Sequence, residues 1–159
     1  MRTLPIYATL LGLAGLAPFI LASLGALGLD PEFAHACLVA LVAYGGVILA
    51  FLGGVHWGLA LAAGTDQTLR VQRLRFGLGV VPSLVGWAAL LLTLVDWPKT
   101  ALLLLIAGFL AVTIIEARAT RASLMPRNYM MLRWVVSVGV IFCLATTCLV
   151  LSLGGRVAL

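Results

Sequence analysis

The segment FAHACLVALVAYGGVILAFLGGVHWGLALAA, residues 33–63, contains no aspartate, glutamate, lysine or arginine. A helix rising 1.5 Å per residue needs roughly 20 apolar residues to cross a hydrocarbon core about 30 Å thick, and this run exceeds that. A soluble helix of such length would present a polar face to water. Here apolar residues continue all round the axis, and His35 and His56 are the most polar side chains. A barrel strand is no better a reading, because it would be about ten residues long with alternating polarity. The stretch therefore predicts a transmembrane α-helix.

Four further runs resemble it, so the spacing predicts an all-α polytopic bundle of about five transmembrane helices: 4–28, 33–63, 76–94, 100–119 and 129–153. Together they make one membrane domain over 1–159. Short polar connections, Asp30-Pro31-Glu32, Thr65 to Arg75, Asp96 to Lys99 and Thr120 to Asn128, make neighbouring helices antiparallel. The first run also resembles a signal peptide, since Arg2 precedes it. It is longer than the 7–15 residues of a signal h-region, so it reads as a retained helix.

Composition agrees. The chain is 64% hydrophobic and 9% charged, which leaves too little polar surface to clothe a soluble core. The net charge of +5 is not a nucleic-acid signal. Nine of the ten basic residues are arginines in short gaps between apolar runs, with no basic helix face or stacking platform beside them. Arg70, Arg73 and Arg75 fall in one connection, and Arg118, Arg121 and Arg127 in another, with Arg133 just beyond. The other two connections hold Asp30, Glu32, Asp96 and Lys99. The positive-inside rule then places the N-terminus inside and the C-terminus outside. Arg2 agrees and Arg156 dissents. Trp57, Tyr129 and Trp134 near one face and Trp97 near the other fit an aromatic belt.

Packing signals lie in the second helix. Gly46, Ala50, Gly54, Gly58 and Ala62 recur at every fourth residue, a small-residue stripe along which another backbone can come close, within the chain or in a homodimer. Pro18 and Pro82 lie inside apolar runs, where each removes a helical hydrogen bond and predicts a kink. Gly15-Leu16-Ala17-Pro18 and Gly79-Val80-Val81-Pro82 also hint at an internal repeat.

Ionisable side chains inside the spans are few. His56, Glu116 and Arg133 fall at comparable depth near the inner ends of the second, fourth and fifth helices. A carboxylate there is expensive unless paired. Glu116 has no basic residue at helical spacings of three or four, so its partner must come from another helix, and His56 and Arg133 are the candidates. The cluster reads either as a proton relay, ion or head-group site, or as a polar lock that orients three helices. His35, beside Glu32, reads as interfacial.

Several chemistries are excluded. His35 and His56, about 31 Å apart on one helix, cannot share a metal or a haem. Cys37, Cys143 and Cys148 show no metal spacing, and no phosphate-binding loop, Ser-His-Asp set or carboxylate pair appears. No cofactor and no metal is expected.

The segment Tyr44 to Gly58, with its Gly53-Gly54-Val55-His56-Trp57-Gly58 core, resembles the signature of a family of small multi-pass membrane proteins of unknown function, bacterial proteins related to a mitochondrial transmembrane protein of animals. Gly15 to Phe19 and Gly79 to Trp87 fit the same family in the same order. The resemblance implies a five-helix domain in the bacterial inner membrane, draws attention to Gly53, Gly54, His56 and Trp57, and implies no activity. Three functional classes remain open. The first is a non-enzymatic interaction or assembly component, whose partners are the bilayer and other membrane subunits or copies of itself. The second is a small homo-oligomeric transporter or channel. The third is a lipid- or quinone-binding protein, with Trp57, Trp87 and Trp134 lining an apolar slot.

Overall fold

The computed structural model describes residues 6–28, 30–62, 68–121 and 127–154. Their regular elements are six α-helices: α1 (Ile6–Ala14), α2 (Ala17–Gly28), α3 (Pro31–Ala62), α4 (Leu69–Leu94), α5 (Pro98–Arg121) and α6 (Arg127–Ser152). The α1–α2 run and the other four helices are each long and apolar enough to cross a membrane. Arg2 and Arg156, which bear on orientation, lie outside the described residues, as do residues 63–67 and 122–126 of the two arginine-bearing connections.

The surface explains the composition. Phe51, Trp87 and Phe142 are more than 60% exposed, and leucines and valines are exposed along all five spans. A water-soluble chain would not present such a surface around its whole girth. The lipid-facing residues and the core are equally apolar, which is why the helices show almost no amphipathic pattern.

Helix α3 is the central element. It packs most extensively on α4 and α2 and touches α5, while α6 packs on α5 and α2. The core between them includes Phe19, Leu49, Leu105, Phe109 and Leu144, all essentially inaccessible. The Phe19 ring meets Tyr44 edge-on at 5.0 Å between centroids and Phe109 at 6.1 Å. Aromatic edges of this kind add about 0.5–1.5 kcal/mol beyond burial.

The helix ends follow from local chemistry. Pro31 and Pro98 each occupy a first helical position, where a fixed φ suits the helix and the missing N–H is not needed. The third span begins at Leu69 rather than at Phe76, so Arg70, Arg73 and Arg75 belong to a helix and not to a loop. Arginine is a good helix former, and its polarity, which suggested a loop, does not bear on backbone conformation.

The two interior prolines behave differently. Between Ala14 and Ala17 the first span breaks, with Leu16 N–H donating to the Leu13 carbonyl in a tighter turn. Pro18 supplies no N–H for the Ala14 carbonyl, and its ring crowds that turn. Tyr44 Oη donates to the Gly15 carbonyl at 3.2 Å, satisfying a backbone group at the break. Helix α4, by contrast, runs on through Pro82.

The glycines of α3, those of the small-residue row and Gly53 beside it, divide between two environments. A Cβ on Gly46 would lie 3.2 Å from Gly86 Cα, and one on Gly53 would collide with the Gly79 carbonyl oxygen, so α3 and α4 touch backbone to backbone at these pairs. Gly54 and Gly58 are exposed and have open space around them. Steps of four residues rotate about 40° around a helix, so a five-member row turns through about 160° and cannot face one neighbour. A seven-residue step drifts only about 20°. Gly46 and Gly53 on α3, opposite Gly86 and Gly79 on α4, keep that seven-residue register.

Candidate functional site

His56, Glu116 and Arg133 come together from three helices, α3, α5 and α6. Arg133 Nε donates to Glu116 Oε2 at 2.6 Å, and His56 Nε2 lies 3.8 Å from Glu116 Oε1. Exposure is 4% for His56, 0% for Glu116 and 5% for Arg133. Glu116 pairs directly with Arg133 of the neighbouring helix, and His56 lies just beyond hydrogen-bonding distance on the carboxylate's other side.

Two hydroxyls continue the string. Arg133 Nη1 donates to Ser137 Oγ at 3.2 Å, and Ser137 Oγ lies 3.0 Å from Thr113 Oγ1. Both hydroxyl residues are buried. Because Ser137 accepts from the guanidinium, its own proton is available to Thr113. As residue types the two hydroxyls do not stand out in the sequence, but their spacing carries a signal. Thr113 stands three residues before Glu116 and Ser137 four after Arg133, the spacings that share a helix face. The result is a polar thread, His56–Glu116–Arg133–Ser137–Thr113, buried inside an apolar bundle. Pairing of this kind offsets much of the cost of keeping such groups away from water.

Beside the thread, α3 and α4 are tied by polar side chains reaching backbone oxygens. Arg75 is 9% exposed, and its Nη1 donates to the Leu59 carbonyl at 3.0 Å. Leu59 is among the last four residues of α3, whose carbonyls have no helical donor, so Arg75 caps that helix. An arginine that reads from sequence as a topological signal is thus also a structural one. Trp57 Nε1 donates to the Phe76 carbonyl at 3.1 Å, and its ring meets Phe76 edge-on at 5.1 Å between centroids. Trp57 also covers Gly79 so closely that a Cβ there would collide with its ring. The Gly53-to-Gly58 segment therefore presents three faces. Gly53 and Trp57 hold α4, His56 points to the buried thread, and Gly54 and Gly58 face outward.

A second polar contact lies near the other end of α6. Ser23 Oγ is 2.8 Å from Thr147 Oγ1, and both hydroxyls also reach the Cys143 carbonyl. It links α2 to α6. Cys37, Cys143 and Cys148 are free thiols, and among the described residues no group of three His, Cys, Asp or Glu side chains could hold a metal.

Five lipid-facing spans closed around a buried polar thread define a multi-pass helical membrane protein. Residues 4–149 match the family described as Protein of unknown function (DUF3429), and the chain belongs to that family. It is also similar to Transmembrane protein 69 of Xenopus tropicalis, with 37% identity over 91 residues, 57% of this chain and 35% of that protein. The chain thus spans about a third of the length of that relative. No solved structure matches the chain. The expectation of an uncharacterised family of multi-pass membrane proteins is met.

Proposed function

We propose that this protein is a non-enzymatic interaction or assembly component of a bacterial inner membrane, with its arginine-bearing connections in the cytoplasm, acting through helix–helix contacts with another membrane subunit or a second copy. The observation that carries the reading is the outward half of the α3 row. Gly54 and Gly58 are exposed, and among the described residues no atom outside their own stretch of α3 lies within 4 Å of where a side chain would begin. In lipid, where apolar burial drives no association, such small residues let a second helix approach closely. The same device already joins α3 to α4 at Gly46 and Gly53 within the chain.

The buried thread supports this reading over transport. A transport site must open to water at some stage, whereas His56, Glu116 and Arg133 are nearly inaccessible and joined as a lock between α3, α5 and α6. That favours a role in fixing the helices that present the α3 face.

The test is native mass spectrometry of the protein gently extracted from its own membrane, with Gly58→Leu alongside wild type. A stoichiometric partner or second copy is expected in wild type and is lost in a Gly58→Leu protein that remains folded. A wild-type monomer, or an assembly indifferent to the substitution, would refute the reading. A His56→Ala protein that assembles normally but loses ion flux in liposomes would replace it with transport.

A further inference from the structure

A cavity of about 390 Å³ lies at the seam of α1, α2, α3 and α6, on the same side of the bundle end as Arg133. Its size falls within the range of about 300–1,000 Å³ typical of ligand pockets. Leu11 and Phe51, both exposed, stand at its rim, while Leu52, Phe19 and Arg133, all buried, form its depth. The rim faces the bilayer, so an occupant reaches the cavity sideways from lipid. None of Trp57, Trp87 and Trp134, the residues expected to line an apolar slot, takes part.

Two independent features bear on what fills it. The first is the poor packing of α1. That helix has no buried residue and touches α6 only lightly, with Gly12 against Leu132. The space that would otherwise hold α1 against α3 is the cavity itself. The second is Arg133. Its Nε and Nη1 are committed to Glu116 and Ser137, but Nη2 is buried without a hydrogen-bond partner among the described residues. A buried donor in this condition is costly and seeks an acceptor. Its neighbour Glu116 already balances its charge, so the acceptor need not be an ion.

We propose that this cavity holds one acyl chain of a membrane phospholipid, with the chain lying between α1 and α3 and an ester carbonyl accepting from Arg133. The occupant supplies the packing that α1 lacks, and it matches a pocket with apolar walls, one donor and a rim open to lipid. The lipid is then an integral part of the fold.

The test uses the full chain in nanodiscs of palmitoyl-oleoyl phosphatidylglycerol, released into the mass spectrometer under activation that strips bulk lipid. Wild type and Leu103→Phe, altered on an exposed part of α5 away from the cavity, are expected to retain one lipid. Gly12→Phe and Val136→Phe, which fill the cavity, are expected to lower the lipid-bound fraction at least about tenfold. A diazirine-acyl phosphatidylglycerol should label wild type at Leu11 and Phe51 in preference to other exposed residues, a readout that needs no variant to fold. Retention unchanged by filling, uniform labelling, a co-purified quinone in place of lipid, or a dimer that holds no lipid would each overturn the proposal.

Discussion

Arg133 and Glu116 form an ion pair at 2.6 Å with both side chains withdrawn from the surface, and the pair joins two helices adjacent in sequence, α5 and α6. The pair therefore acts as a register pin, since sliding α6 by one turn would separate the charges and leave both in hydrocarbon.

The first prediction follows from this pairing. Removing one member of a buried ion pair costs about 3–5 kcal/mol in comparable cases. Arg133→Met and Glu116→Met should each lower the midpoint of unfolding in a dodecyl-sulfate titration severely. The double variant should recover most of that loss, because two apolar side chains of similar length can pack where the pair stood. Additive losses in the double variant would contradict the pin.

The hydroxyls beyond the pair should rank in a definite order. Ser137→Ala removes the acceptor of a charged donor, worth about 1.5–3 kcal/mol. Thr113→Val removes a neutral hydroxyl contact while keeping the side-chain shape, worth about 1 kcal/mol. The unfolding midpoints of the two variants should fall in that order, and the double variant should lose less than the sum, because one bond is shared. Equal and independent effects would break the thread into unrelated contacts.

Much of this architecture is legible in the sequence. Five spans follow from length and continuous hydrophobicity, because each backbone polar group in lipid must be satisfied within its own helix. Glu116 also declared itself, since a carboxylate deep in a span requires a partner and only two candidates stood at its depth. The choice of Arg133 as the direct contact was not legible, because it depends on how α6 is rotated against α5. Arg75 was hidden for a different reason. Positive charge near a span end serves topology and helix capping alike, and the sequence does not separate the two. The division of the α3 glycines depends on helix rotation, which a row of small residues spaced by four does not specify.

Gly79 and Trp57 yield a prediction with a built-in control. A Cβ on Gly79 would collide with the Trp57 ring. Gly79→Ala should therefore cost about 1–3 kcal/mol, the usual penalty for overpacking a close contact. Trp57→Ala removes the ring, its hydrogen bond to Phe76 and the collision together. In the Gly79→Ala/Trp57→Ala protein the alanine at 79 should add almost nothing to the loss from Trp57→Ala alone. Gly58→Ala, made in open space, should leave the unfolding midpoint of the monomer nearly unchanged. If Gly79→Ala proves as mild as Gly58→Ala, the close approach of α3 and α4 at this point is wrong.

The turn between α4 and α5 provides the last. Asp96 adopts φ of 62°, the left-handed region, directly after the Val95 cap. Trp97 N–H reaches back to the Leu92 carbonyl at 2.8 Å and Asp96 N–H to the Thr93 carbonyl at 3.3 Å, the paired bonds of a Schellman ending. Glycine usually fills this position, since a side chain there costs roughly 1–2 kcal/mol, least for Asp and Asn. The carboxylate also sits at the negative end of the α4 dipole. Asp96→Gly should raise stability by up to about 1 kcal/mol. Asp96→Asn keeps the conformational cost while removing the charge, so it isolates the dipole contribution. Asp96→Val, branched at Cβ, should fall below wild type. A glycine variant less stable than wild type would mean that the carboxylate makes a compensating contact in the membrane, and the asparagine variant would then be destabilised with it.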